Sequence, residues 1–102
     1  MVVSIAPGCE VILTGRIDVH TVAEVRSVLH AAIDAGHGDL MVDVSGVELV
    51  DATGLGMLVG AHRRAVARDR RMVLRDPSPR LARILRATRL HRVLSMEPAR
   101  AG

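Results

Sequence analysis

Six consecutive residues, Asp51, Ala52, Thr53, Gly54, Leu55 and Gly56, concentrate an acid, a hydroxyl and two glycines where an apolar β-type run gives way to helical spacing. The first turn of a helix leaves backbone N–H groups unpaired and carries the positive end of the helix dipole. Such a junction favours an anion, a phosphate above all. Glycines at 54 and 56 remove bulk around Thr53 and open it to close approach by another macromolecule, although each costs roughly 1 kcal/mol of helix propensity. The same residues fit a plainer reading, in which Asp51 or Thr53 caps the helix and the glycines admit close helix packing.

Other potential sites are weaker. Gly54, Gly56 and Gly60 form GxGxxxG, one residue off the dinucleotide fingerprint, and the acid near the required distance, Asp76, sits at a turn. His20, His30, His37, His62 and His91 have no tight ligand spacing, and the single cysteine, Cys9, cannot complete a zinc site. Cys9 lies beside a turn with no paired base, so nothing marks it as a nucleophile. No metal or cofactor is expected from these residues.

Composition narrows the classes further. The chain has no Phe, Trp, Tyr or Lys, and all 14 of its basic residues are Arg. Aromatic stacking platforms for single-stranded nucleic acid and the lysine of a phosphate-binding loop are therefore both ruled out. Formal charge is +3, but residues 1–60 carry two Arg against eight acids and residues 61–102 twelve Arg against three, a balance of −6 and then +9. A lone cysteine makes no internal disulfide. With no basic-then-apolar leader and no apolar run of about 18 residues, a cytoplasmic protein without membrane contact is expected. At 102 residues the chain fits one domain, residues 1–102.

The elements that position the junction follow from periodicity. Residues 2–6 are β-rich and lead through a Pro7, Gly8 turn into residues 10–15, a hairpin pattern. Thr21 to Glu24 has capping-box spacing, and Val22, Val25, Val28, Leu29, Ala32 and Ile33 share one helical face before Gly36. Residues 39–44 (DLMVDV) read as a buried strand and residues 45–50 as a loop. Leu55, Leu58, Val59, His62 and Val66 give a second helical stripe starting near Thr53. Residues 71–75 read as a strand. Ser78 and Pro79 open a third helix with Leu81, Ile84, Leu85 and Thr88 inward, and Val93 and Leu94 form an apolar tail. The order β-β-α-β-α-β-α predicts an α/β fold: a small mixed sheet of four to five strands, an antiparallel opening hairpin and parallel crossovers.

Residues 40–57, LMVDVSGVELVDATGLGM, resemble the signature of the STAS domains of bacterial anti-sigma factor antagonists. In that family an apolar strand ending in Asp leads through a short loop to Asp-Ser-Ser-Gly-Leu-Gly. Residues 13–21 (LTGRIDVHT) are similar to the family's Leu-x-Gly-x-Leu-Asp segment, and residues 79–94 to its final helix and tail. The resemblance implies a STAS fold and a phosphorylation switch rather than an enzyme, with no small-molecule substrate. The unmodified protein would bind an anti-sigma factor that is also a serine/threonine kinase and so free the sigma factor. Phosphate on the motif's second hydroxyl residue, here Thr53, would release that partner, and a metal-dependent phosphatase would reset the switch. It also implies that Asp18, Asp51, Ala52, Gly54, Leu55, Gly56 and Met57 form the partner-binding surface, with Asp18 beside the phosphorylation site. Capping is the plainer role for Asp18 and Asp51.

The chain departs from the pattern in three places. Ala52 replaces the first hydroxyl and concentrates the expectation on Thr53, which stands where the family more commonly has Ser and whose extra methyl must fit the kinase site and restricts its rotamers. Arg89 stands where relatives commonly have Gly after the last helix, and Arg disfavours the left-handed conformation of such a cap. Two other functions compete: a STAS scaffold or ligand sensor that is never phosphorylated, and an Arg-rich nucleic-acid binder using Arg63, Arg64, Arg68, Arg70, Arg71, Arg75 and the every-third-residue run Arg80, Arg83, Arg86, Arg89. Nucleic acid is not the expected partner, because no binding motif accompanies these arginines.

Overall fold

The computed structural model describes residues 2–6 and 8–97 of the chain. Five strands, β1 (Val2–Ala6), β2 (Glu10–Ile17), β3 (Leu40–Val50), β4 (Met72–Arg75) and β5 (Ser95–Glu97), lie side by side in chain order. β1 pairs antiparallel with β2, and every later neighbour is parallel. The expected mixed sheet with an opening hairpin is therefore present. Gly8 and Cys9 make the hairpin turn, Gly8 with a positive φ of 76°; Pro7 lies outside the described residues.

Parallel neighbours need crossovers, and three helices supply them: α1 (Val22–Ala35), α2 (Ala52–Ala67) and α3 (Pro79–Ala87). With strands in sequential order, right-handed crossovers carry all three to one face of the sheet. The core confirms a single covered face. Val11 and Leu13 of β2, Leu40, Val42 and Val44 of β3, and Met72 and Leu74 of β4 alternate inward and meet Val25, Leu29 and Ile33 of α1, Leu58 of α2, and Leu81 and Leu85 of α3. Aliphatic side chains fill this layer without any ring. On the other face, Glu10 and Arg75 form an ion pair at 2.5 Å.

The structure corrects several expectations. The loop expected at residues 45–50 is the second half of β3. There the buried residues Val44, Val47 and Val50 recur every third position, because the pairing with β2 slips twice, between Ile12 and Thr14 and between Gly15 and Arg16. Those irregularities bend the strand and replace the period of two that patterning relies on. The α2 stripe is also rotated. Its buried residues are Gly54, Met57, Leu58, Ala61 and Ala65, whereas Val66 is 55% exposed and Leu55, Val59 and His62 sit at the margins. Small residues face inward because α2 packs closely on both α1 and the sheet. No capping box forms at α1: Thr21 makes no side-chain cap, and its hydroxyl instead donates to the Arg16 carbonyl and accepts from the Asp18 amide. Thr88 of the expected α3 stripe is exposed.

Beyond α3, residues 90–92 make a 3₁₀ turn that drops Leu94 into the core and sets β5 against β4, where an apolar tail was expected. Arg89 does take the left-handed conformation, φ 61°, which Gly would adopt more cheaply.

Candidate functional site

The strand-to-helix junction falls where β3 ends and α2 begins. Asp51 is the α2 N-cap. Its Oδ1 accepts from the Gly54 amide at 2.8 Å, and its carbonyl accepts from Leu55 at 2.9 Å. The amide of Asp51 donates to the Ile17 carbonyl at 3.2 Å, which ties the start of α2 to the end of β2. The capping reading of Asp51 is thus realised. Ala52 and Thr53 follow as the first two helical residues, and both are exposed. Their amides have no carbonyl four residues back within the helix, so the Thr53 hydroxyl stands on an electropositive surface.

Gly54 is buried for an internal reason. A Cβ there would lie 2.5 Å from the Ile17 carbonyl oxygen and 2.9 Å from Val50 Cγ1, so only glycine lets α2 seat this close to the strand ends. Gly56 and Gly60 are different. Both are exposed, and a Cβ on either would meet nothing within 4 Å. Helical spacing places Thr53, Gly56 and Gly60 in one outward row.

Asp18 lies in the turn between β2 and α1, one residue beyond the Ile17 carbonyl that receives Asp51. Its carboxylate accepts from the His20 amide at 2.9 Å, while its carbonyl accepts from Thr21 and Val22 to start α1. The side chain holds its own turn and caps no helical amide, so capping is not its role. The chain path nonetheless brings Asp18, Asp51 and Thr53 to one end of the sheet.

Of the other residues singled out, Leu55 is half-buried against the core and Met57 is core, 4% exposed, so its side chain supports α2 from below. Two apolar side chains at this same end escape the patterning: Val19, 63% exposed in the turn after Asp18, and Leu49, exposed near the end of β3 and paired in register with Arg16. The only sequence sign of them is a β-branched residue in an otherwise polar turn. The junction thus offers a hydroxyl on a helix start, with two acids, Asp18 and Asp51, and exposed apolar groups at the same end of the sheet. Such a surface can dock a partner and alter that docking when charge is added.

Cys9 is an exposed free thiol in the hairpin turn. Among the described residues no three His, Cys, Asp or Glu side chains gather as a metal would require, and no helix is long and apolar enough to cross a membrane.

Comparison with known proteins adds the following. A family model described as "Mlab, STAS domain" matches residues 2–96. The anti-sigma-B factor antagonists of Staphylococcus aureus and Staphylococcus epidermidis are 33% identical over 81 residues, 79% of this chain and 75% of theirs. Among solved structures, a putative anti-sigma factor antagonist from Thermotoga maritima superposes with a TM-score of 0.76 at 17% identity, over 94% of this chain and 84% of that one. The anti-sigma factor antagonist SpoIIAA in its unphosphorylated form gives 0.72 at 21% identity, over 98% and 88%. SpoIIAA of Bacillus in the phosphorylated form gives 0.70, also at 21% identity, over 94% and 88%.

Proposed function

Since the chain belongs to the STAS domain family, we propose that it is an anti-sigma factor antagonist whose binding is switched by phosphorylation of Thr53. The unmodified protein binds an anti-sigma factor with serine/threonine kinase activity and frees the sigma factor. Transfer of phosphate to the Thr53 hydroxyl releases the partner, and a metal-dependent phosphatase restores the binding form. Asp18, Ala52, Gly56 and the exposed Val19 and Leu49 supply the contact surface. Asp51, Gly54, Leu55 and Met57 hold it in place.

The observation that carries this reading is the exposure of Thr53 at the second position of α2, two residues after a carboxylate that is already engaged as the cap. Because Asp51 has taken the Gly54 amide, a phosphate two residues later adds about −1.5 to −2 charge to a surface that already presents Asp51 and Asp18. The phosphate needs no pocket and displaces no core group, so the fold persists while the surface becomes more negative. A 100-fold loss of affinity corresponds to about 2.7 kcal/mol, within reach of one new charge at an interface. The relatives named as anti-sigma factor antagonists, and SpoIIAA's existence in both phosphorylated and unphosphorylated forms, support the same direction.

The test uses the protein as bait with Thr53 intact, as Thr53→Ala and as Thr53→Glu, with captured proteins identified by mass spectrometry. An anti-sigma factor kinase should come down with the first two and be depleted with the third. Incubating that kinase and ATP with the wild type should add phosphate at Thr53 and none to Thr53→Ala. Phosphate at another residue with Thr53 unmodified would sink the switch, and equal capture by all three baits would sink the surface.

A further inference from the structure

The arginines between residues 64 and 92 divide into two sets. Arg64 and Arg68 pair with Asp34, Arg71 with Asp39 and Arg75 with Glu10, while Arg70 is buried among backbone carbonyls. These are used by the fold. Arg80, Arg83, Arg86, Arg89 and Arg92 form the other set. All five are exposed, and none makes an ion pair or a side-chain hydrogen bond among the described residues. Residues 77–96 contain no Asp or Glu, so no acid lies within the strip itself.

Their placement is ordered. Leu81 and Leu85 fix the inward side of α3, and residues 80, 83 and 86 then fall on its outward side, each about 4.5 Å further along the axis than the last. The run continues through Arg89, whose left-handed backbone ends the helix, to Arg92 in the 3₁₀ turn. Half-buried Ile84 and Leu90 and exposed Val93 lie among the guanidiniums. At its start the strip reaches the end of β3, where Glu48 and Leu49 share a hollow with Arg80 and Ile84.

We propose that this strip on α3 and the 3₁₀ turn is a docking surface for an acidic amphipathic protein segment, adjoining the Thr53 surface at Leu49 and distinct from it in its arginines. Arginine forks bind carboxylates bidentately, and a partner helix with acids every third or fourth position presents them at the spacing of the guanidiniums. The apolar groups between the arginines meet the partner's own apolar residues. A long polyanion fits less well: the strip is short, Glu48, Asp76 and Glu97 bound it, and residues 1–60 carry a net −6 that an extended nucleic acid or anionic membrane would also face. There is also no aromatic ring to stack on a base.

The probe is a labelled peptide of about 15 residues with Glu and Leu at helical spacing, titrated with the full chain and read by fluorescence anisotropy. The wild type and Thr53→Glu should bind it equally, with affinity falling as salt rises. Arg80→Gln/Arg83→Gln/Arg86→Gln should lose about tenfold or more, the equivalent of roughly 1.4 kcal/mol. The charge-matched control Arg16→Gln/Arg26→Gln/Arg63→Gln, made at exposed arginines elsewhere, should lose little. A single Arg83→Glu gives the same reading should the triple variant melt early. No peptide binding, an equal loss in the control, or tighter binding to duplex DNA or phosphatidylglycerol vesicles than to the peptide would overturn the proposal.

Discussion

Three glycines in α2 look alike in sequence and differ in physical reason. Gly54 sits 2.5 Å, measured to a hypothetical Cβ, from a backbone carbonyl that cannot step aside, so Gly54→Ala should destabilise the protein by about 2 kcal/mol or more. Gly56 and Gly60 face open space, and Gly56→Ala or Gly60→Ala should stabilise it by up to about 1 kcal/mol through helix propensity alone. Urea unfolding of the three variants checks the split; a stabilising Gly54→Ala would contradict the packing described for α2. A position that gains stability when mutated calls for a reason outside the folded chain, which is why Gly56 belongs to the surface around Thr53. The motif itself was readable from residue types and order. Gly54's inward role was not, because the atom that demands it, the Ile17 carbonyl oxygen, lies 37 positions earlier in the chain.

Between elements, Arg70 holds the largest share of polar contacts. Its guanidinium, in a residue only 4% exposed, donates to the carbonyls of Ala32 and Ile33 at the end of α1, to Gly38 after it, and to Gly8 in the hairpin turn. A cation at a helix C-terminus is favoured by the dipole and satisfies carbonyls the helix cannot. Arg70→Met should therefore cost about 3 kcal/mol in thermal or urea unfolding, and Arg70→Lys should recover only part of it because one ammonium cannot reach all four. Across the α1–α2 contact, burial and, after it, the charge of Arg64 hold His30 below its ordinary 6.5, with Asp34 opposing them. The folded state thus resists protonating His30 more than the unfolded chain does. Its contribution is complete above pH 6.5 and is lost as pH falls through the pKa His30 has in the folded protein. Unfolding free energy should drop between pH 7.5 and 5.5, and His30→Gln should flatten that slope. Asp34, held low chiefly by its hydrogen bond with Arg64, acts in the same sense only below the carboxylate range. None of this pairing was legible from charge counts, since a sequence records how many arginines there are and not which of them find a partner. The second half of β3 was hidden for a similar reason: its period is set by slips against β2.

For the molecule as a whole, strand order and the single helical layer were legible because alternating strand and helix signals leave few topologies once crossovers are right-handed. β5 was not, because three residues behind a 3₁₀ turn carry no periodicity of their own. The charge asymmetry now has a spatial form, with Asp18 and Asp51 at the Thr53 end and, among the described residues, unpaired arginines along the α3 strip. Thr53→Glu should leave the melting temperature within a couple of degrees of wild type, since Thr53 is exposed and the helix start favours a negative charge; a large drop would mean that the residue serves the fold. The Arg70 clamp also bears on the order of events during folding. The carbonyls it satisfies all lie in residues 8–38, yet their donor comes more than thirty positions later in the chain. Until α2 and the segment after it are in place, Arg70 cannot reach those carbonyls, so the hairpin turn and the end of α1 are latched only once these later elements have docked.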